Sequence, residues 1–586
     1  MSLSGCGNNN VQTADATAQP SMTAAPTAVP ADIDASTVDY TTQTWVALEI
    51  VFESSVTYQK APIYDVNLDV IFTAPDGTTI AMPGFWDGGT TWKVRFAPTM
   101  YGVWTYKTTC SDATNTGLNG KEGKIGCNAY KGDLAIYKHG FITTQADTRY
   151  FTYADGTPFF YIGDTHWSLG FEAFSTSNVA GIDSQFKYIV DKRVEQGFTV
   201  YQSEPGQAPQ NKYGDKTYNN TLIKFNQTVL PGFWNMDQKF KYIADKGLVH
   251  ANAQLFFTDQ FTAANMKYYT DDYLDKLSRY WVARYAAYPV LWTTAQEPDA
   301  TFYGVYDKQN NPWKKVFNAV YKYDPYKHPS TAHQENTYTT IASTSAFKDL
   351  EGYKWFGAQW APNTKGQVDF AIPKDYWNNS NGRPAINYEG WYDNFYIDTA
   401  GARAQGWLAY LNGMFGQGYG VAGIWTIVND YKSGDYSCSF RLDEDKNGIT
   451  KEEKQNMTWD KALQLPAAEQ LATYMHNFFN SFEWWKLEPC FDDPKAEHIS
   501  LSSSWYSAAT ISNQTYVAYF YNTTTATGNI TNLESGKTYT AKWFNPRTGE
   551  YTDIANDITG QGEKAFWKIP NKPDTQDWVI YVTINE

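Results

Sequence analysis

The stretch IDSQFKYIVDKRVEQGFTVYQSEP, Ile182 to Pro205, contains one full unit of a repeating pattern. Phe186, Ile189, Val190 and Val194 fall on one face at helical spacing, and Gly197 stands where a left-handed residue ends a helix. FTVYQSEP then reads as a strand with polar residues at its far end. The unit recurs. Asn235 is placed to cap a helix carrying Met236, Phe240, Ile243 and Ala244 on one face; Gly247 closes it, and LVHANAQLFF follows as a strand. Leu274, Leu277, Trp281 and Tyr285 mark another helix before VLWTTAQEPDA, Val290 to Ala300.

Moving outward, FFYIGDTHW precedes these units, and HPSTAHQ, KWFGAQW, RPAINYEGWYD and GVAGIWTIVND follow them, which brings the strand candidates to eight. Eight βα units predict a central (β/α)8 TIM barrel, whose active site lies at the C-terminal ends of the strands. A doubly wound open sheet would carry a phosphate-binding glycine fingerprint after its first strand, and the chain has none.

The flanks follow a different grammar. From about Tyr40 to Tyr137, WVALEIVF, TWKVRFAP and GVWTYKTTC alternate apolar and polar residues between turn signals, which predicts an antiparallel β-sandwich. After Leu487, QTYVAYFY, KTYTAKWFN and DWVIYVT predict a small C-terminal β-sandwich. The expected organisation is therefore a linker over 1–38, a β-sandwich over 39–140, the barrel over 141–486 and a β-domain over 487–586. Cys110 and Cys127 bracket a polar loop in the first sandwich, where an exported chain allows a local disulfide.

Leu3-Ser4-Gly5-Cys6 fits a bacterial lipobox, and the following thirty or so residues are rich in Ala, Thr, Asn and Pro, too poor in large apolar groups to fold. The expectation is an exported protein held at the bacterial cell surface by a lipid on Cys6, with no other attachment to a membrane. A net charge of -15 leaves no basic field for a polyanion, so nucleic acid is excluded as a partner. Aromatic residues make up 17% of the chain, and rings with polar tips suit the faces of sugars.

The predicted strand ends carry Asp164, His166, Gln202, Glu204, Gln254, Gln296, Glu297, His333, Gln334, Gln359, Trp360, Glu389, Trp425, Asn429 and Asp430. Glu297 and Glu389 stand out because each ends an apolar strand opened by proline. Pro298 is expected to hold Glu297 in an extended conformation. Glycoside hydrolysis needs two carboxylates flanking the bond, one protonated to assist the leaving group and one ionised. In a retaining enzyme they stand about 5 to 5.5 Å apart, and their proximity splits their protonation. Asp164, His166, Gln202, Gln254, Gln296 and His333 are candidate hydroxyl contacts, and Trp167, Trp360, Trp391 and Trp425 candidate sugar platforms.

Other chemistries lack their parts: the chain has no HExxH, CxxC, GxSxG or phosphate loop. No cofactor is required. Asp443, Asp445 and Asn447 match the opening of an EF-hand-type calcium loop, but position twelve is Lys454, with Glu453 one residue early. The stretch is compatible with a structural calcium or with an acidic turn free of metal.

Gln296-Glu297-Pro298 and Asn387-Tyr388-Glu389-Gly390 resemble the acid/base and nucleophile positions of the clan A glycoside hydrolases. From FFYIGDTHW to IWTIVND the chain is similar to the apiosidase-like barrels of glycoside hydrolase family 140, which often carry a β-sandwich before the barrel and a collagen-binding-type β-domain after it. The resemblance implies a retaining glycoside hydrolase acting on plant cell-wall or related carbohydrate, with Glu389 as nucleophile and Glu297 as acid/base. It departs at the fourth strand, where the apiosidase pattern has Gly-Gly-Asp. The alternative from another class is a glycan-binding surface lipoprotein without turnover.

Overall fold

The structure is a computed structural model that describes residues 30–58, 63, 66–205, 229–253, 270–294, 297, 313–333, 342–361, 368–502, 506–521, 525–560 and 566–585. At its centre seven parallel strands form one curled sheet. In spatial order they are Val290–Trp292, Val249–Asn252, Val200–Ser203, Tyr161–His166, Gly416–Tyr419, Ala385–Glu389 and Phe356–Gln359. Almost every residue in them is buried, as expected when helices cover one face of a parallel sheet and side chains fill the other.

The helix of the opening stretch spans Gln185–Glu195. Ser184 caps it by accepting from the Lys187 amide, and Gly197 ends it at φ +90°. Phe186, Ile189 and Val190 face the core as expected, joined by Arg193. The next helix runs Leu230–Asp245 and starts five residues before the expected cap. Pro231, with its pre-set φ, occupies the first turn, and Asn235 lies inside the helix. Asp271–Tyr285 follows, capped by Thr270.

Two strand expectations need correction. HPSTAHQ forms no ladder strand; it makes isolated parallel bridges, Trp292 with Ser330 on one side and Ser330 with Tyr353 and His333 with Gly357 on the other. It therefore lies between the two edge strands of the sheet. GVAGIWTIVND is not the last strand of the sheet either, since Gly416–Tyr419 takes that place. Three residues of GQGYG are glycines, which hides the strand from an apolar-pattern reading. The backbone needs them: a Cβ on Gly418 would stand 2.1 Å from the Tyr388 carbonyl oxygen.

The N-terminal residues form a five-stranded sheet, from Tyr40–Gln43 through Glu122–Asn128, Gly102–Cys110 and Leu68–Thr73 to Thr79–Pro83, packed on a three-stranded sheet of Leu48–Glu53, Thr91–Phe96 and Phe85–Trp86. Phe72 and Phe96 stack across the two sheets with centroids 3.8 Å apart. The sandwich is not purely antiparallel, because Tyr40–Gln43 pairs in parallel with Glu122–Asn128. Its register also excludes the local disulfide. Cys127 pairs with Gly102, at the opposite end of the Gly102–Cys110 strand from Cys110, so the two thiols lie about 26 Å apart along the ladder. Both are free and buried, and burial pushes the Cys127 thiol up to about 12.

The C-terminal residues form a six-stranded sheet centred on Thr515–Phe520 and Trp578–Ile584, with a three-stranded sheet of Ile499–Leu501, Gly528–Thr531 and Phe566–Lys568. Among the described residues no helix is long and apolar enough to cross a membrane.

Candidate active site

Strands alternate their side chains between two faces, and the packing shows which face is which. Tyr161, Val200, Val249, Ala251, Leu291, Ile386 and Tyr388 form one cluster inside the curl of the sheet. On the Ala385–Glu389 strand, Ile386 and Tyr388 thus point inward, and strict alternation would turn Glu389 outward to the helices. The register shifts here: Ala358 pairs with Asn387, but Gln359 pairs with Glu389. The extra residue, Tyr388, brings two successive side chains to the same side, as a β-bulge does. Gln202 supports it from the interior, its Nε2 donating to the Tyr388 carbonyl at 2.8 Å.

Glu389 is met there by three polar groups. His333 Nε2 lies 2.9 Å from its Oε2, Gln359 Nε2 donates to the same oxygen at 3.0 Å, and the Tyr392 hydroxyl donates to Oε1. Trp167 Nε1 donates in turn to the Tyr392 hydroxyl at 2.9 Å. The second glutamate arrives at the same point, since Gln359 Nε2 also donates to Glu297 Oε1 at 2.8 Å. One nitrogen therefore touches both carboxylates, and their nearest oxygens are no further apart than those two bonds laid end to end.

Glu297 reaches this position from five residues beyond the Val290–Trp292 strand, not from its end. Its φ is +42°, not extended, despite the proline that follows. Holding a non-glycine residue in this region costs of order 1 to 3 kcal/mol of backbone strain.

The other expected contacts divide. Trp167 and His333 join the Glu389 cluster, their rings stacked at 5.6 Å. Both are buried, so they hold the glutamate in place and do not present an open sugar face. Trp425 is half-buried, 4.9 Å from the Tyr392 ring, and lies in the loop beyond the Gly416–Tyr419 strand. Trp391 is also half-buried, its backbone held by Gln405. Neither ring is enclosed as those of Trp167 and Trp360 are.

Trp360 does not reach the site: it is fully buried, with its Nε1 on the Asp369 carbonyl. Gln202 lies in the interior beneath the bulge. Asp164 and His166 have the outward parity of their strand and are enclosed beneath the helices. His166 Nε2 lies 2.8 Å from Asp164 Oδ2 and its Nδ1 2.9 Å from Glu172 Oε1, while Arg193 Nε donates to Asp164 at 2.6 Å. Burial opposes the charge on His166, but Glu172 and Asp164 outweigh it and push the imidazole up to about 9. Gln254, Gln296 and Cys6 lie outside the described residues.

In the acidic turn several side chains bond to the chain itself. Glu453 is committed to a capping box with Thr450, Asp445 Oδ1 accepts from the Lys451 amide at 2.8 Å, and Lys454 Nζ donates to the Arg441 carbonyl. Among the described residues no three acidic, histidine or cysteine side chains gather to hold a metal.

The sequence reading missed Tyr392, which follows Glu389 by three residues and has no strand-end signal, and it gave Glu204 and Gln359 no role. Glu204 is buried near the site. Burial, together with the carboxylates of Glu204 and Glu389, holds the Tyr388 phenol well above its ordinary value.

Paired carboxylates at the C-terminal edge of a curled parallel sheet are the equipment of a glycoside hydrolase. Residues 145–486 match the model of the apiosidase-like catalytic domain, and the chain belongs to that family. Residues 41–111 match a domain of unknown function, DUF5060, and residues 499–583 a collagen-binding-like domain of a collagenase. Among solved structures the chain is similar to a glycoside hydrolase of Bacteroides vulgatus ATCC 8482, at 15% identity and a TM-score of 0.62, over 93% of this chain and 100% of that one. It is also similar to a glycoside hydrolase family 5 protein of the same organism, at 16% identity and a TM-score of 0.58, over 78% of this chain and 95% of that one. At these identities the likeness carries the fold. No curated protein sequence matches the chain significantly. The protein is a glycoside hydrolase and its substrate a carbohydrate; binding without turnover is set aside.

Proposed function

We propose that the protein cleaves a glycosidic bond of a plant cell-wall or related polysaccharide or oligosaccharide by double displacement with retention. The observation that carries this reading is the Gln359 nitrogen shared by Glu297 and Glu389. A pair so close suits a retaining enzyme, whereas inversion needs room for a water between the carboxylates. In this mechanism Glu389 attacks the anomeric carbon while Glu297 gives its proton to the departing oxygen. Glu297 then takes a proton from the water that releases the sugar from Glu389. The polar contacts from His333, Gln359 and Tyr392 fix the orientation of the Glu389 carboxylate, which suits the nucleophile. The bridges made by 329–333 with both edge strands support a (β/α)8 barrel closed by this segment. The lipobox cysteine, Cys6, supports export and anchoring at the cell surface.

A product profile from a panel of pectic and hemicellulosic polysaccharides tests the reading and names the sugar. Turnover of at least one of them is expected, abolished in Glu389→Gln. Turnover by Glu389→Gln at the wild-type rate would overturn the assignment.

A further inference from the structure

We propose that Gln359 is a positioning residue that braces Glu297 and Glu389 at one separation through both half-reactions. The proposal rests on the reading of these two residues as acid/base and nucleophile.

Three observations carry it. A glutamine amide has two N–H bonds, and Gln359 directs one to each carboxylate, at 2.8 and 3.0 Å. Carboxylates only accept, so the nitrogen must face them and the amide oxygen must face away. That oxygen is buried and has no hydrogen-bond partner among the described residues. Leaving a buried acceptor unmatched costs about 1 to 3 kcal/mol. Both donors are committed to the two glutamates, so these orient the side chain. The third observation is the register: Gln359 is the last residue of the Phe356–Gln359 strand and pairs with Glu389 only because of the shift at Tyr388. The bulge that aims the glutamate inward also brings Gln359 level with it.

The brace takes no proton. When Glu297 is protonated, its other oxygen still accepts from Gln359, so the same two bonds persist while the proton moves from Glu297 to the leaving group and back from water. Donors to an ionised carboxylate favour the charged form. Removing them changes the hydrogen bonding of both carboxylates, which displaces the pH profile.

The test is the pH dependence of kcat/KM for the full chain and for Gln359→Leu, on a substrate that the wild type cleaves. The expected result is a fall in kcat of about 100-fold with KM changed less than about threefold. The bell should be displaced along the pH axis. Should the leucine variant fail to fold, Gln359→Glu has the same shape and places a third carboxyl between the two, which must displace the bell as well. A folded variant whose bell coincides with that of the wild type would overturn the proposal, even if its rate is lower. Failure of the underlying reading looks different: Glu389→Gln would then turn over normally, or the wild type would cleave no glycoside.

Discussion

At the scale of single residues, two glutamates held by one amide nitrogen should respond differently to substitution. Glu389→Ala should lose about 10⁴-fold or more in kcat on every substrate, because no glycosyl-enzyme forms. Glu297→Ala should lose most on poor leaving groups, retain reaction on activated aryl glycosides, and be partly rescued by azide, which needs no general base. Equal losses on good and poor leaving groups would reassign the acid. His166 makes a separate prediction, because its charge is stabilising while buried between Asp164 and Glu172. A histidine raised from 6.5 to about 9 contributes stability that is complete below 6.5 and is lost as pH rises through 9. The melting temperature should therefore fall across that window. His166→Gln should be less stable at pH 6 and largely lack the decline. A wild-type melting temperature flat from pH 6.5 to 9 would contradict the charged imidazole.

At the scale of the element, the bulge at Tyr388 decides where the chemistry sits. The strand-end position of Gln202 suggests a hydroxyl contact, but its Nε2 donates to the Tyr388 carbonyl at the bulge. Gln202→Leu should cost about 1 to 3 kcal/mol for the unmatched carbonyl. It should also lower kcat through Glu389, with KM little changed; full activity in that variant would separate the bulge from the site. The βα rhythm was legible because helical periodicity ended by Gly197 and Gly247 is local information. So was the position of Glu389, four residues after Ala385 in a strand that Pro384 opens. The strand Gly416–Tyr419 was illegible because its glycines answer to the crowding of Tyr388 and Ile386, which only the fold creates. The fate of Asp164 and His166 was equally hidden. Polar residues at a strand end look alike in sequence, and parity relative to a bulged neighbour decides whether they face a substrate or a helix.

At the scale of the whole molecule, buried charges tie the flanking sheets to the central one. Arg95, on the Thr91–Phe96 strand, reaches Asp237 at 2.7 Å and the Arg284 carbonyl at 2.8 Å, while Arg284 reaches Asp87 at 2.9 Å. Burial would raise the Asp237 carboxyl, but Arg95 and Arg284 hold it well below the usual carboxylate range. On the other side, Arg403 of the Thr399–Leu411 helix grips Asp577 with two bonds, at 2.7 and 2.9 Å. Removing one partner of a buried pair leaves a charge without compensation, so Arg284→Met should cost about 3 to 5 kcal/mol. Lys107→Met, which breaks the exposed pair with Glu122, should leave stability nearly unchanged. Denaturant unfolding of the two variants checks the contrast, and equal losses would remove the buried network from the account.

The closeness of Glu297 and Glu389 is tested most directly by the anomeric configuration of the first product, followed by proton NMR from the moment the enzyme meets its substrate. The arrangement around Gln359 predicts that the newly released sugar keeps the configuration of the bond that was cut and only later mutarotates. Release of the opposite anomer would mean that a water stands between the carboxylates, and would contradict the account.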